Sequence, residues 1–374
     1  MKTFLFISRF GDSLSIAQRV KQEGNRAIFY INDHRCSHVG EGLIEKPPVS
    51  FELVHQEIIS KQVTDALLFM KPDVVVFDFV GAGFGKLAEQ LSKQYPVVGG
   101  SLFSDQVEFN DSYMMRLMDI HGLKFPSPEL AGQETVELSS DVWYNGREVI
   151  CHTLSFDENR FLEGDIGPVC RSMGSTTVLS DTNVSIYKSG IGKITSSLKR
   201  SNYRGPLSLF LVVTKSELFS IGMIARFKYN SIFSFVESSL TSVSDLLSGV
   251  ATTNLRSVKF KPGVSINVSM VVKPFPMNVS VHYSPDLVID GFDEGNLKHI
   301  WLSDVSKTNG HYTCVGSSGI VGSVTATGDN AREARRRAYR TIGNLGIPEV
   351  MYRRDIGERH QRDYARLIEW GWLN

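Results

Sequence analysis

The residues with the most chemical promise lie in FLEGDIGPVCRSMGST, residues 161–176. This stretch carries the carboxylate of Asp165 beside Gly167, Pro168 and Gly174, and Arg160 stands immediately before it. Gly and Pro at this density predict a shaped loop and not a packed element. Such a loop can bring Asp165 to an amino group while its backbone N–H groups hold a carboxylate; a plain structural turn uses the same residues. Arg160 suits a bidentate contact to a carboxylate or phosphate, and equally a surface ion pair. Arg226 lies in the apolar strand GMIARFKY, where a charge needs a partner, either a ligand or a structural counter-ion. Arg9 and Gly11, in RFGDSLS, precede a predicted helix whose N-terminus would favour a phosphate. Lys188, Lys193, Lys199, Arg200 and Arg204 belong to a run with no acid from Thr182 to Ser216. That run suits phosphate or nucleic-acid contact, or a solvated face. His121 and His152 fall near the expected cleft, with structural roles favoured. The nine histidines show no metal spacing, and no serine or cysteine sits in a nucleophile motif.

These residues need elements to position them. KTFLFIS (2–8), RAIFYIN (26–32) and the apolar run at 74–79 read as strands, with a helix from about Ser13 to Gln22 between the first two. YPVVGG adds a short strand. Alternation of strands and helices implies a parallel sheet with right-handed crossovers. Ligands on such sheets bind beyond the carboxyl ends of the strands, here Ser8 to Asp12 and Asp78 to Gly83. Residues 104–122 read as one helix, with Ser104 as N-cap and Gly122 as the stop. KFPSPELAGQ (124–133) is a linker. VWYNGREVICHTL predicts a hairpin turning at Asn145-Gly146, and residues 207–227 a second, turning near Lys215-Ser216. A helical stretch at 232–248 and strands at 264–272 and 278–284 follow. TGDNAREARRRAYRTIG predicts a helix capped by Asn330, with Glu333 completing a capping box and Gly343 ending it. Its arginines are expected to pair with Glu333, Glu358 and Asp363.

The bulk numbers narrow the classes. At 374 residues the chain can bury more than one core. Forty basic and forty acidic residues cancel, which argues against a general polyanion binder and leaves local patches open. The apolar start MKTFLFISRF is too short for a signal peptide, and no segment reaches membrane-spanning length. Four scattered cysteines, Cys36, Cys151, Cys170 and Cys314, suit free thiols in a reducing compartment and argue against a zinc site. A cytoplasmic protein is the expectation.

Several motifs in order resemble glycinamide ribonucleotide synthetase (phosphoribosylamine–glycine ligase), an ATP-grasp family. GIVGSVTATGDNAREARRRAYRTI followed by MYRRDIGER is similar to that family's strand, turn, helix and terminal Arg-x-Asp-Ile-Gly segment. DENRFLEGDIGPVCRSMGS resembles its Asp-x-Gly-Pro-Asn-Thr-Gly-Gly-Met-Gly loop. VVGGSLFSDQVEFNDSYMMRLMDIHGLKFPSPE resembles its passage from the first domain into the grasp. The resemblance implies an α/β fold in three parts: a Rossmann-like domain over 1–103, a truncated ATP-grasp-derived α+β core over 104–255, and a β-rich C-terminal domain over 256–374.

The departures from the family are as informative. The family's small ATP-binding lobe lies between the linker and the first hairpin, where this chain has only Glu129 to Asp141. A lysine of the family falls at or near Asp111, where a carboxylate would repel a triphosphate. The magnesium-binding Glu and Asn of the family strand correspond to Gly222 and Ile224, whose side chains offer no oxygen. The resemblance therefore implies an amino-acid transferase or ligase working without ATP, magnesium or another cofactor. Glycine is the expected amino acid, and the acceptor would arrive already activated as a phosphorylated small molecule or a modified pyrimidine in phage DNA. Asp165 is the expected catalytic residue. Arg9, Gly11, Arg160, Gly167, Pro168, Gly174 and Arg226 are the expected binding residues. An ATP-dependent carboxylate–amine ligase and a non-catalytic scaffold remain the alternatives.

Overall fold

The computed structural model describes residues 1–47, 67, 69–277, 287–315 and 318–374. Four strands, β1 (Thr3–Ser8), β2 (Arg26–Ile31), β3 (Val74–Phe77) and β4 (Val97–Val98), form a parallel sheet in the order β2-β1-β3-β4. Their apolar runs fit a sheet covered on both faces. The helix Leu14–Gln22 packs with β2, and Phe84–Leu91 lies beneath β3 in the same core.

A second sheet of eight antiparallel strands dominates the rest. Its order is β12-β15-β10-β7-β6-β5-β8-β9. The strands are β5 (Val136–Tyr144), β6 (Val149–Leu162), β7 (Ile166–Ser180), β8 (Gly205–Val213), β9 (Leu218–Ile224), β10 (Val264–Val271), β12 (Ile300–Leu302) and β15 (Ile320–Gly328). The sheet passes without a break across residue 255, because β7 pairs with β10. β11 (Val288–Ile289), β14 (His311–Cys314) and β13 (Val305–Thr308) make a small third sheet. The mixed α/β architecture thus joins a parallel sheet to a large antiparallel one.

Local signals explain most elements. Asn145 turns the first hairpin by accepting from the N–H groups of Arg147 and Glu148. Asn330 caps the helix Ala331–Gly343 through the Glu333 N–H, and Glu333 accepts from Asp329 N–H. Arg336 and Arg337 reach Glu333, and Arg335 reaches Glu358. Asp363, by contrast, pairs with Arg359, Arg362 and Arg366 of its own helix, Glu358–Glu369. The single helix expected over 104–122 is two, Leu102–Phe109 and Asp111–Ile120. Ser101 caps the first and Asn110, left outside helical dihedrals, caps the second. Asp111 then opens a helix, where its negative charge suits the dipole. The helical stretch at 232–248 likewise divides into Ile232–Ser238 and Val243–Ala251. The strand expected at 278–284 lies outside the described residues.

Two contacts seat the parallel sheet on the rest. Glu23 accepts from the N–H groups of Val243 and Ser244, at the start of the helix Val243–Ala251, at 2.8 and 2.7 Å. Arg19 lies 4.5 Å over the Trp301 ring and donates to the Lys298 carbonyl. Trp301 stacks on Phe233 at 5.0 Å, so the helix Ile232–Ser238 is packed beneath the junction. From Ile120 to Val136 the chain runs directly to β5 through one short turn, Pro128–Leu130.

Candidate functional site

A cavity of about 230 Å³ opens where the two large sheets meet. Asp12, Asp78 and Phe79 come from beyond the carboxyl ends of β1 and β3. Arg171 and Ser172 come from β7. Phe210, Ile224 and the segment Arg226, Lys228, Tyr229 and Asn230 come from the β8–β9 hairpin and the chain after it. Ser269, Ser303, Ile320 and Ser323 close the far wall.

The segment after β9 is pinned at both ends. Ala225 N–H donates to Glu108, and Asn230 carbonyl accepts from Ser175 and Asn267 while its amide donates to the Arg171 carbonyl. Arg226 Nε meets Glu108 at 2.9 Å. Burial raises the Glu108 pKa, and the Arg226 charge opposes that rise. Arg226 therefore has a counter-ion and also faces the cavity. Arg171 reaches Asp12 at 3.3 Å.

Asp78 is the distinctive acid. It is fully buried, and burial, with Asp12 nearby, raises its pKa to about 7. One carboxylate oxygen accepts from Ser13 N–H at 3.0 Å and Ser13 hydroxyl at 2.5 Å, and the Ser8 and Tyr229 hydroxyls also lie against this carboxyl. Asp304, beside Arg171 and Asp12, is also raised by burial, to about 6, although Ser318 hydroxyl and N–H groups stabilise its charge. A buried carboxyl raised to about 7, lining a small cavity together with three cationic side chains, can hold an amine and accept its proton.

The residues expected from sequence are distributed differently. Residues 161–176 are largely a hairpin end, with Arg160 opposite Val169 and Leu162 opposite Ile166 in an irregular register. Asp165 sits at its tip, 63% exposed, 3.4 Å from Arg353. It lines an open groove with Glu158, Arg353, Asp355 and Arg359, not the cavity. Arg160 donates to the Gly167 carbonyl at 2.8 Å, and Gly167 and Pro168 are exposed. Gly174 is buried against the Asn267 carbonyl, where a side chain would clash. The stretch reaches the cavity through Arg171 and Ser172 instead.

At the first strand, Gly11 takes φ +98° and its N–H donates to Ser8 hydroxyl at 2.8 Å. The helix start that would favour a phosphate holds the Asp78 carboxylate. Arg9 stacks on Phe10 and Phe79, at 4.8 and 4.9 Å. Convergence of Arg9, Arg160 and Arg226 with the loop backbone, as the family arrangement implies, is thus not what the fold builds.

Lys188, Lys193, Lys199 and Arg200 are exposed, Arg204 is partly buried, and none lines the cavity. Lys193 donates to the Gly122 carbonyl. His121 meets Ser197 at 2.7 Å; burial lowers its pKa, as do Arg200 and Lys193. His152 is buried against Ser140 and Asp181 carbonyl, and burial brings it down to about 4.

The two positions expected to differ from the family's magnesium ligands offer no oxygen: Gly222 lacks a side chain and Ile224 presents hydrocarbon to the cavity. Arg226→Ala should weaken binding of an anionic group here at least about tenfold, the worth of a charged hydrogen bond of roughly 1.5–3 kcal/mol. Calorimetry with inorganic phosphate checks this; unchanged affinity in a folded variant would place the anion elsewhere.

No family model matches the chain. A Pyrococcus furiosus phosphoribosylamine–glycine ligase is 26% identical over 236 residues, 60% of this chain and 52% of the relative. The Leifsonia xyli protein of that name is 27% identical over 252 residues, 64% and 58%. The chain spans about half the length of the curated relatives it matches. Among solved structures, Thermotoga maritima phosphoribosylamine–glycine ligase superimposes with TM-score 0.64 at 16% identity, covering 95% of this chain and 100% of that one. Campylobacter jejuni biotin carboxylase superimposes with TM-score 0.60 at 11% identity, over 93% and 92%. No helix among the described residues is long and apolar enough to cross a membrane; the chain is similar in sequence to phosphoribosylamine–glycine ligases and shares their ATP-grasp-type fold.

Proposed function

We propose that the protein joins an amino acid, glycine first among candidates, to an acceptor that arrives already activated as a phosphate or diphosphate ester. A diphosphorylated hydroxymethyl pyrimidine in modified phage DNA is one such acceptor. The observation that carries this reading is the cavity lining itself, which brings the buried Asp78, raised to about 7, together with the cations Arg171, Arg226 and Lys228. The role expected of Asp165 passes to Asp78.

The step balances without a nucleotide. The amino-acid ammonium gives one proton to Asp78. The freed nitrogen pair attacks the carbon bearing the ester, a C–N bond forms and the C–O bond breaks. The phosphate leaves with the bonding electrons, toward the cations. Independence from ATP is supported by the short run from Ile120 to Val136 and by Gly222 and Ile224 at the metal positions.

The curated relatives favour the second reading, an ATP-dependent carboxylate–amine ligase. Separate titrations distinguish the two. Glycine should give a binding isotherm, and Mg-ATP at millimolar concentration should give no heat. A magnesium-dependent micromolar affinity for ATP would restore the ligase.

A further inference from the structure

The disagreement between the donor set and magnesium has a counterpart close by. Lys228 is only 5% exposed, yet it lines the cavity. Its ammonium lies 2.6 Å from Asp157 and 3.8 Å from Asp141, touches Ser139 hydroxyl, and sits 5.4 Å from the centre of the Phe210 ring, itself a cavity wall. Asp141 is steadied by Ser155, which donates at 2.5 Å. One oxygen of each aspartate is buried without a hydrogen-bond partner. Burial raises Asp157, opposed by the Lys228 charge.

A lysine ammonium has three donors. Ser139 and Asp157 engage two, which leaves one for a ligand in the cavity. The other two cations of the cavity are each matched to one carboxylate, Arg171 to Asp12 and Arg226 to Glu108. Lys228 instead has two carboxylates beside it, the buried Asp157 and the partly buried Asp141, and also lines the cavity, as a bound cation would in an oxygen-lined site. A lysine supplies that charge as a point donor on a flexible stem.

We propose that Lys228 is the resident cation of this site and binds the phosphate group of the acceptor directly, where a metal ion would otherwise do so. The inference rests on the acceptor being a phosphate ester, as proposed above. Lys228 is a binding residue here, and Asp157 and Asp141 position it.

The test uses pyrophosphate as the probe, titrated calorimetrically into the full chain. Wild-type protein should bind it equally well with EDTA and with magnesium. Lys228→Met alone would strand the buried Asp157, so the informative variant is Lys228→Met with Asp157→Asn, which removes charge in a matched pair. That variant, with its thermal melt intact, should bind at least about tenfold more weakly, and Lys228→Arg should retain most of the affinity. Wild-type affinity in the folded double variant would overturn the proposal. A magnesium requirement in the wild-type protein, or no binding to it, would do the same, and neither arm depends on a variant folding. Glycine titrated into the same samples separates the two ideas. Lys228-dependent pyrophosphate binding without glycine binding spares Lys228 and sinks the transfer reading.

Discussion

Asp78→Asn should abolish amino-acid transfer, by about a hundredfold or more, the usual worth of a positioned general base, while making the protein more stable at pH 8. The two effects share one cause. Asp78 is fully buried, and burial with Asp12 nearby lifts its pKa to about 7. In the unfolded chain the same carboxyl ionises near its ordinary value of 3.8. Between those limits the folded state holds more protons than the unfolded state, so stability falls as pH rises, and levels off above about 7. Each tenfold difference in proton affinity corresponds to about 1.4 kcal/mol. Asparagine removes the ionising group, keeps an oxygen for Ser13 and should gain on the order of 2–4 kcal/mol at pH 8. Denaturant unfolding at pH 5 and pH 8 checks this: the gain should be largest at pH 8. A loss of stability at pH 8 would mean that the carboxylate is ionised and paired in the fold. Stability gained with transfer intact would remove Asp78 from the chemistry.

The second large effect lies in the open groove. Arg353, 3% exposed, donates to Asp355 at 2.8 and 2.7 Å and to the Arg160 carbonyl, and approaches Glu158 and Asp165 at 3.4 Å. Glu158 is itself buried and is also held by Arg359 at 3.0 Å. Arg353→Ala would leave a buried carboxylate short of charge and detach the hairpin tip from the chain before the last helix. Removing one partner of a buried pair costs about 3–5 kcal/mol, and Arg359 should hold the loss near the lower end. A loss below about 1 kcal/mol would show that Arg359 alone sustains the network. The MYRRDIGER segment thus has a structural account in this chain: it locks the β6–β7 hairpin to the helix Glu358–Glu369.

Much of the frame was legible before the structure. Alternation marked β1, β2 and β3, and the capping signals at Asn330 and Asn145 act as their side chains predict. The break at Asn110 is hidden in the sequence because its cap lies inside a helical pattern that continues on both sides. The β6–β7 extension looks like a loop in the sequence because Gly167 and Pro168 are local turn signals, whereas pairing across the hairpin is not local. The cavity was harder. Its residues are spread from Asp12 to Ser323 and meet only when β7 pairs with β10 and the parallel sheet docks on Trp301. Asp12 and Asp78 fell within the strand ends flagged as ligand positions, and Arg171 and Lys228 within stretches already singled out. What was not legible was burial, which turns Asp78 from an ordinary carboxylate into a group poised near neutrality and encloses Lys228.

The central claim is transfer to a pre-activated acceptor, and the most direct test is incorporation. Protein, labelled glycine and phosphate-activated hydroxymethyl-pyrimidine DNA are combined without ATP, with Asp78→Asn and Asp165→Asn run alongside. The account predicts label in the DNA from wild-type protein and from Asp165→Asn, released phosphate in equal amount, and neither product from Asp78→Asn. Label that appears only when Mg-ATP is added, or no label with any activated nucleotide or DNA offered, would contradict it.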